Sequence, residues 1–318
     1  MHGLHLQLAG FDSDTWQHAV DSLATRIHPI DRNATRIWFS FFPLDLYLAI
    51  ESADEPAELA RKLGLTGSWR LSEQIGTSHR FLYAHRYWTQ VKTSIQATSA
   101  PPASDLEGIV TAIADASART ARVDPEMLLG ITAVLLMTLR QVGPEAFAAE
   151  PAVVHLSDRA RATSPHQVLR ARGRDDWQGP FGFARGLRKT WTVTFDEADP
   201  DATFALIDGQ EIASAAQTDQ RDYHSRDARC TPNEGPIPVE CRAASCGTCW
   251  VGVLGGGEKL SPVNERDERR RMRVFGYLDS SEERPLIRLA CQARAHGAVS
   301  IVIPPWNGMF ANALRRGV

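Results

Sequence analysis

Four cysteines near the C-terminal end, Cys241, Cys246, Cys249 and Cys291, constrain this chain more than any other feature. The first three follow C-x4-C-x2-C, and 41 residues separate the third from the fourth. Three closely spaced thiolates with one distant partner are a ligand pattern of [2Fe–2S] clusters. Soft thiolates also select zinc or cuprous ion. A structural zinc site, however, usually pairs two C-x2-C or Cys/His knuckles; here only Cys246 and Cys249 form one, and none surrounds Cys291. A disulfide framework belongs to short secreted chains, whereas this one has 318 residues and five cysteines. The spacing therefore favours an iron–sulfur cluster, with zinc and unrelated cysteines as the alternatives.

Further residues carry a resemblance. Pro236-Ile-Pro238 precedes the first cysteine, Ser245-Cys246-Gly247-Thr248-Cys249 forms the loop, Leu260-Ser261-Pro262 follows it, and Arg288-Leu-Ala-Cys291-Gln292 surrounds the fourth. This set resembles the plant-type and adrenodoxin-like [2Fe–2S] ferredoxin domains over about residues 190 to 305. The resemblance implies a β-grasp fold with a helix across a mixed sheet, a [2Fe–2S] cluster on the four cysteines, and one-electron transfer as its chemistry. Two departures stand out. The long third-to-fourth spacing suggests an inserted helix, for which the charged run Glu265 to Arg273 is the candidate, and Ala244 occupies a position where such loops commonly carry Gly.

An iron–sulfur cluster is anionic and becomes more so on reduction, so its loop must supply dipoles. Small residues let backbone N–H groups from about Arg242 to Cys249 approach the sulfurs. Gly247 is expected to serve close approach or an unusual backbone angle. Ser245 and Thr248 can add hydroxyl bonds to sulfur or satisfy local backbone, and Arg242 can offset cluster charge or remain a solvated surface group. Cys230, eleven residues before Cys241, reads as a bystander.

Before Trp191 the periodicity is helical. Trp16, Val20, Leu23 and Ile27 form a stripe behind Asp12 and Ser13, and Pro56 opens a short helix closed by Gly64. Phe81, Ala84, Trp88, Val91 and Ile95 mark a third helix starting after Thr77 or Ser78. Ser104-Asp-Leu-Glu107 is a capping box, and Met127 to Leu139 is an apolar helix closed by Gly143-Pro144. His79 and His85 lie six apart and share no i, i+4 face, which favours structural roles over metal ligation. From 153 to 189 the composition turns to Arg, Gly, Pro and Ser and reads as a linker with one short helix. Trp191 to Phe195 and Thr203 to Ile207 read as a hairpin turning at Asp208-Gly209.

The expected fold class is therefore α+β, an all-helical N-terminal domain followed by the β-grasp domain. Its boundaries are 1–152 for a helical docking domain, 153–189 for the linker, 190–305 for the ferredoxin domain and 306–318 for a tail. In that tail Asn307 would cap a helix presenting Trp306, Phe310 and Leu314. Net charge is −3 with Arg and Lys spread evenly, which gives no field for nucleic acid. No segment reaches the ~18 apolar residues of a membrane span. No dinucleotide fingerprint, P-loop, nucleophile elbow or HExxH motif is present. The chain reads as a cytoplasmic electron-transfer protein or oxidoreductase subunit working with a redox protein partner or larger oxidoreductase complex. A redox enzyme with a second cofactor in the helical domain and a cluster-based sensor are the alternatives.

Overall fold

The computed structural model describes residues 1–175, 189–277 and 282–309. In chain order the helices are α1 His2–Ala9, α2 Ser13–Leu23, α3 Pro29–Phe41, α4 Leu44–Glu51, α5 Pro56–Lys62, α6 Trp88–Ala97, α7 Leu106–Ala121, α8 Glu126–Ala149, α9 Asp158–Ala162, α10 Pro165–Gly173, α11 Ile212–Ala216 and α12 Arg270–Phe275. The strands are β1 Thr66–Gly67, β2 Thr190–Thr194, β3 Thr203–Ile207, β4 Trp250–Gly255, β5 Ile287–Leu289, β6 Val299–Val302 and β7 Trp306–Asn307. The chain divides into two compact units, Met1–Leu48 with Arg70–His166, and Ala49–Trp69 with Gln167–Val318.

The first unit is helical, and its core is α8, whose Leu128, Ile131, Leu135 and Leu139 are buried. By length and composition α8 could cross a membrane, yet most of it is buried inside the unit. Its first helical segment closes at Gly143 as expected, where φ 79° and ψ 165° leave the helical region, and a second segment opens at Pro144 and runs to Ala149. Asp12 caps α2 by accepting the Thr15 N–H at 2.8 Å. Asp105, rather than the neighbouring Ser104, caps α7 through the Gly108 N–H at 2.8 Å. The expected third helix begins later, at Trp88, behind a 3₁₀ turn Tyr83–Tyr87 whose Tyr83 and Ala84 N–H groups are taken by the buried Asp31 carboxylate at 2.7 and 2.8 Å. α1 was not expected, although Leu4 and Leu8, spaced i and i+4, are fully buried.

The second unit holds a five-stranded mixed sheet in the order β3-β2-β6-β4-β5, in which β2 and β6 run parallel and the other neighbours antiparallel. Val193, Leu206, Val251, Leu289 and Ile301 fill its buried faces, and α11 packs on β3. Residues 49–69 belong to this unit and not to the helical one expected over 1–152. β1 pairs with β7, and Met309 N–H reaches Leu63 C=O at 2.8 Å. Among its described residues the expected linker contains two helices, of which α10 belongs largely to this unit. The Arg172 guanidinium forms a bidentate pair with Glu197 at 2.6 and 2.7 Å, and Lys259 holds Asp175 at 2.5 Å. Asn307 lies in β7 and does not cap a helix, and Trp306 is buried there. The tail positions Phe310 and Leu314 lie outside the described residues.

His79 and His85 meet in the helical unit because the chain between them is not a helix. Their Nδ1 atoms are 2.8 Å apart, and the His79 ring lies 4.8 Å from Trp88. One Nδ1 must donate and the other accept, so the accepting ring is neutral and the two rings cannot both be protonated. Burial pushes both rings down, His79 well below its ordinary value and His85 to about 4, with Arg80 adding repulsion. An imidazole harder to protonate in the folded state stabilises that state fully above pH ~6.5 and progressively less below it. Thermal melts of the helical unit's signal should therefore lose stability as pH falls from about 6.5 to 4, by about 3 kcal/mol from His85 alone. His85→Gln should flatten that limb, and an unchanged pH slope would refute the assignment.

Candidate metal centre

The loop from Glu240 to Cys249 is built on backbone turns that L-residues rarely adopt. Arg242 and Ala244 take φ 54° and 53°, and Gly247 takes φ 70°. A left-handed position costs a non-glycine residue roughly 1–2 kcal/mol, so the loop departs from glycine at two places where glycine would be easier. These turns point successive amides inward. The N–H groups of Ala243, Ser245 and Cys246 donate to Cys241 Sγ at 3.5, 3.3 and 3.2 Å. Burial alone would raise the Cys241 thiol. The Ser245 side chain and the Ala243 and Cys246 donors outweigh it and bring the thiol down to about 6.

The other sulfurs have partners too. Cys246 Sγ lies 3.2 Å from the Thr248 hydroxyl, which also accepts the Glu240 N–H at 3.2 Å. Cys249 and Cys291 are hydrogen-bonded to each other. That bond and burial push Cys249 well up, and it brings Cys291 down to about 7 against burial, with help from Gln292. Gln292 Nε2 is 3.5 Å from Cys291 Sγ. Of the residues expected at the site, Arg242 contributes its backbone turn while its side chain pairs with exposed Glu234 at 3.1 Å. Cys230 stands apart: buried, it donates its thiol proton to Pro236 C=O at 3.3 Å, and burial raises it to about 11.

Among the described residues no group of three or more His, Cys, Asp or Glu side chains is arranged to hold a single metal ion. The thiols group in twos, Cys246 with Cys241 and Cys249 with Cys291, through hydrogen bonds. Two and two is the division a two-iron cluster requires, and N–H donors aimed at sulfur suit thiolates that carry the charge of such a cluster. The residues present fit a [2Fe–2S] group.

Residues in the long third-to-fourth spacing support this loop. The helix expected over Glu265 to Arg273 is instead a single π turn, Glu265–Arg269, followed by α12, which starts five residues later than expected and ends two residues later. Phe275 on α12 sits against Gly247, where a Cβ would fall inside the phenyl ring. Trp250 packs on Phe275 and Tyr277 at 5.9 and 4.8 Å between ring centroids. Glu268 enters the core and takes Arg288 through two bonds of 2.7 and 3.0 Å, and its Oε1 also accepts the Leu289 N–H at 2.9 Å. Arg288 donates onward to Ser261 C=O at 2.9 Å. Both side chains are almost wholly buried, and the pair fixes the strand that delivers Cys291.

Residues 207–296 match the family model of the 2Fe-2S iron-sulfur cluster binding domain, a span that includes all four cysteines. No curated protein and no solved structure matches the chain. This C-terminal part is a 2Fe-2S iron-sulfur cluster binding domain.

Two substitutions check this architecture. Gly247→Ala meets both the left-handed φ and the Phe275 ring, so purified protein should carry little visible iron–sulfur absorption per chain; normal absorption would show the contact to be dispensable. Glu268→Ala strands Arg288 in the core, which should cost about 3–5 kcal/mol in urea unfolding, and a loss below 1 kcal/mol would mean the pair carries no structural role.

Proposed function

We propose that the C-terminal unit is a β-grasp ferredoxin module in which Cys241, Cys246, Cys249 and Cys291 ligate the [2Fe–2S] cluster. The module would relay single electrons between a partner oxidoreductase and an acceptor. The convergence of three backbone N–H groups on Cys241 Sγ carries the reading. The β-grasp assignment is supported by a mixed sheet whose first and last long strands lie parallel at its centre, with β3 and β5 at its edges and α11 against it.

The bound group supplies reversible uptake of one electron. The chain's own residues tolerate the added negative charge: amides of Ala243, Ser245 and Cys246 serve one thiolate, the Thr248 hydroxyl another, and Gln292 a third. Cys249 and Cys291 are buried, whereas Cys241 and Cys246 are partly exposed. The route for an electron therefore leads out past the first two, and a redox partner would dock over the 241–246 turn. Plant-type clusters lie near about −400 mV, and donors to sulfur raise that value. Five free thiols, one of them kept protonated by burial, suit a reducing compartment such as the cytoplasm.

Replacing any of the four cysteines by Ser should abolish or alter the visible spectrum and the EPR signal of the reduced protein. Cys230→Ser should leave both unchanged. Retention of an unaltered signal in Cys291→Ser, with loss in Cys230→Ser, would reverse the assignment of the distant ligand.

A further inference from the structure

The ferredoxin reading leaves unexplained why the chain continues past its last long strand and returns to the cluster loop. β7 places Asn307, nearly fully buried, with its Nδ2 donating to the Thr248 carbonyl at 3.0 Å. Its Oδ1 accepts from Arg229 Nη1 at 2.9 Å. The orientation of this amide is fixed by chemistry, because arginine can only donate and a carbonyl can only accept.

Arg229 is itself locked. Asp227 takes its Nε and Nη2 at 2.9 and 2.6 Å, and Nη2 also donates to Pro304 C=O at 2.8 Å. Its guanidinium passes over Gly67 of β1, where a Cβ would meet Arg229 Nε at 2.9 Å. Three separate stretches of chain, 66–67, 227–229 and 304–307, thus converge to hold one side-chain amide.

The target of that amide is the residue between two of the cysteines. The Thr248 hydroxyl accepts the Glu240 N–H, which leaves its proton for Cys246 Sγ at 3.2 Å. Its carbonyl belongs to the peptide joining it to Cys249. A bond to that carbonyl fixes the backbone from which both the hydroxyl donor and the Cys249 thiol project.

We propose that Asn307, held by Arg229 and Asp227, is a positioning residue for the cluster: by anchoring the Thr248 carbonyl it keeps the Thr248 hydroxyl directed at Cys246 Sγ and so sets the reduction potential. The inference rests on the reading that Cys246 and Cys249 are ligands. It assigns a redox-tuning role to the Asp227 segment and to the terminal strand, which the four-cysteine pattern does not require.

The test uses the full chain with its cluster and reads the midpoint potential by spectroelectrochemical titration, with visible circular dichroism as a second signal. Asn307→Ala removes both bonds of the amide. Asn307→Asp keeps an acceptor for Arg229 but offers no donor to Thr248, and it serves where the alanine variant fails to hold the cluster. Either variant should move the potential downward, by about a fivefold change in the oxidised-to-reduced ratio at fixed potential, as expected for one weakened hydrogen bond.

Thr248→Val provides the decisive background. If Asn307 acts through the Thr248 hydroxyl, the Asn307 substitution should produce no further shift there. An undiminished shift in that background, or wild-type potential in a well-loaded Asn307 variant, overturns the proposal. A wild-type chain lacking a two-iron signal would instead overturn the ferredoxin reading beneath it.

Discussion

The C-terminal unit depends on a backbone conformation that side chains resist. Arg242 and Ala244 adopt left-handed angles at a cost of roughly 1–2 kcal/mol each, and such strain persists only where surrounding structure over-determines it. What the strain secures is direction: with those two residues turned, the Ala243, Ser245 and Cys246 amides all face one sulfur. A relaxed loop would present some of these donors to water instead. The rest of the unit can be understood as the scaffold that holds this loop bent.

Part of that scaffold comes from the long third-to-fourth spacing. A buried Glu–Arg pair is weak evidence for stability, since desolvation of both groups offsets their attraction. Glu268 and Arg288 do more than pair, however. The carboxylate also receives the Leu289 N–H, and the guanidinium also reaches the Ser261 carbonyl, so the pair replaces backbone partners that this short edge strand lacks. The same segment brings Phe275 over Gly247. One stretch thereby fixes both the three-cysteine loop and the approach to the fourth cysteine, two pieces of chain far apart in sequence.

Much of this was legible in the residues, and the limits have physical causes. The cysteine spacing and the 203–207 strand could be read because ligand geometry and period-two alternation are local. The capping of α7 shifted by one residue because Asp105 and Ser104 are both good caps, and periodicity does not choose between neighbours. The Gly143 break in α8 was legible, whereas the second segment after it was not, because a proline following a turn can open a new helical segment as well as close an old one. His79 and His85 were read against a helical lattice, but the 3₁₀ turn organised by Asp31, 52 and 53 residues from the Tyr83 and Ala84 amides it accepts, brings them together. Nothing local encodes that.

The placement of residues 49–69 had the same origin. Helical pattern assigned them by sequence proximity to the helical unit, yet Thr66 and Gly67 find their backbone partners on β7. A two-residue pairing is too short to register as alternation, and Trp306 beside Pro304-Pro305 reads as a chain end. Its consequence is architectural: the sheet is not the whole of the unit. The main strands and α11 form a sheet core, and around it α5, β1, α10 and β7 add a second layer of polar ties, Arg172 to Glu197, Lys259 to Asp175, Arg229 to Asp227 and Asn307. Apart from the local Arg229–Asp227 pair, which orients the guanidinium, each tie joins segments distant in sequence and adds order where local propensity supplies none. The cluster loop sits at the end of one of them, and its geometry is therefore set by the whole of the C-terminal unit rather than by the nine residues that carry its first three cysteines.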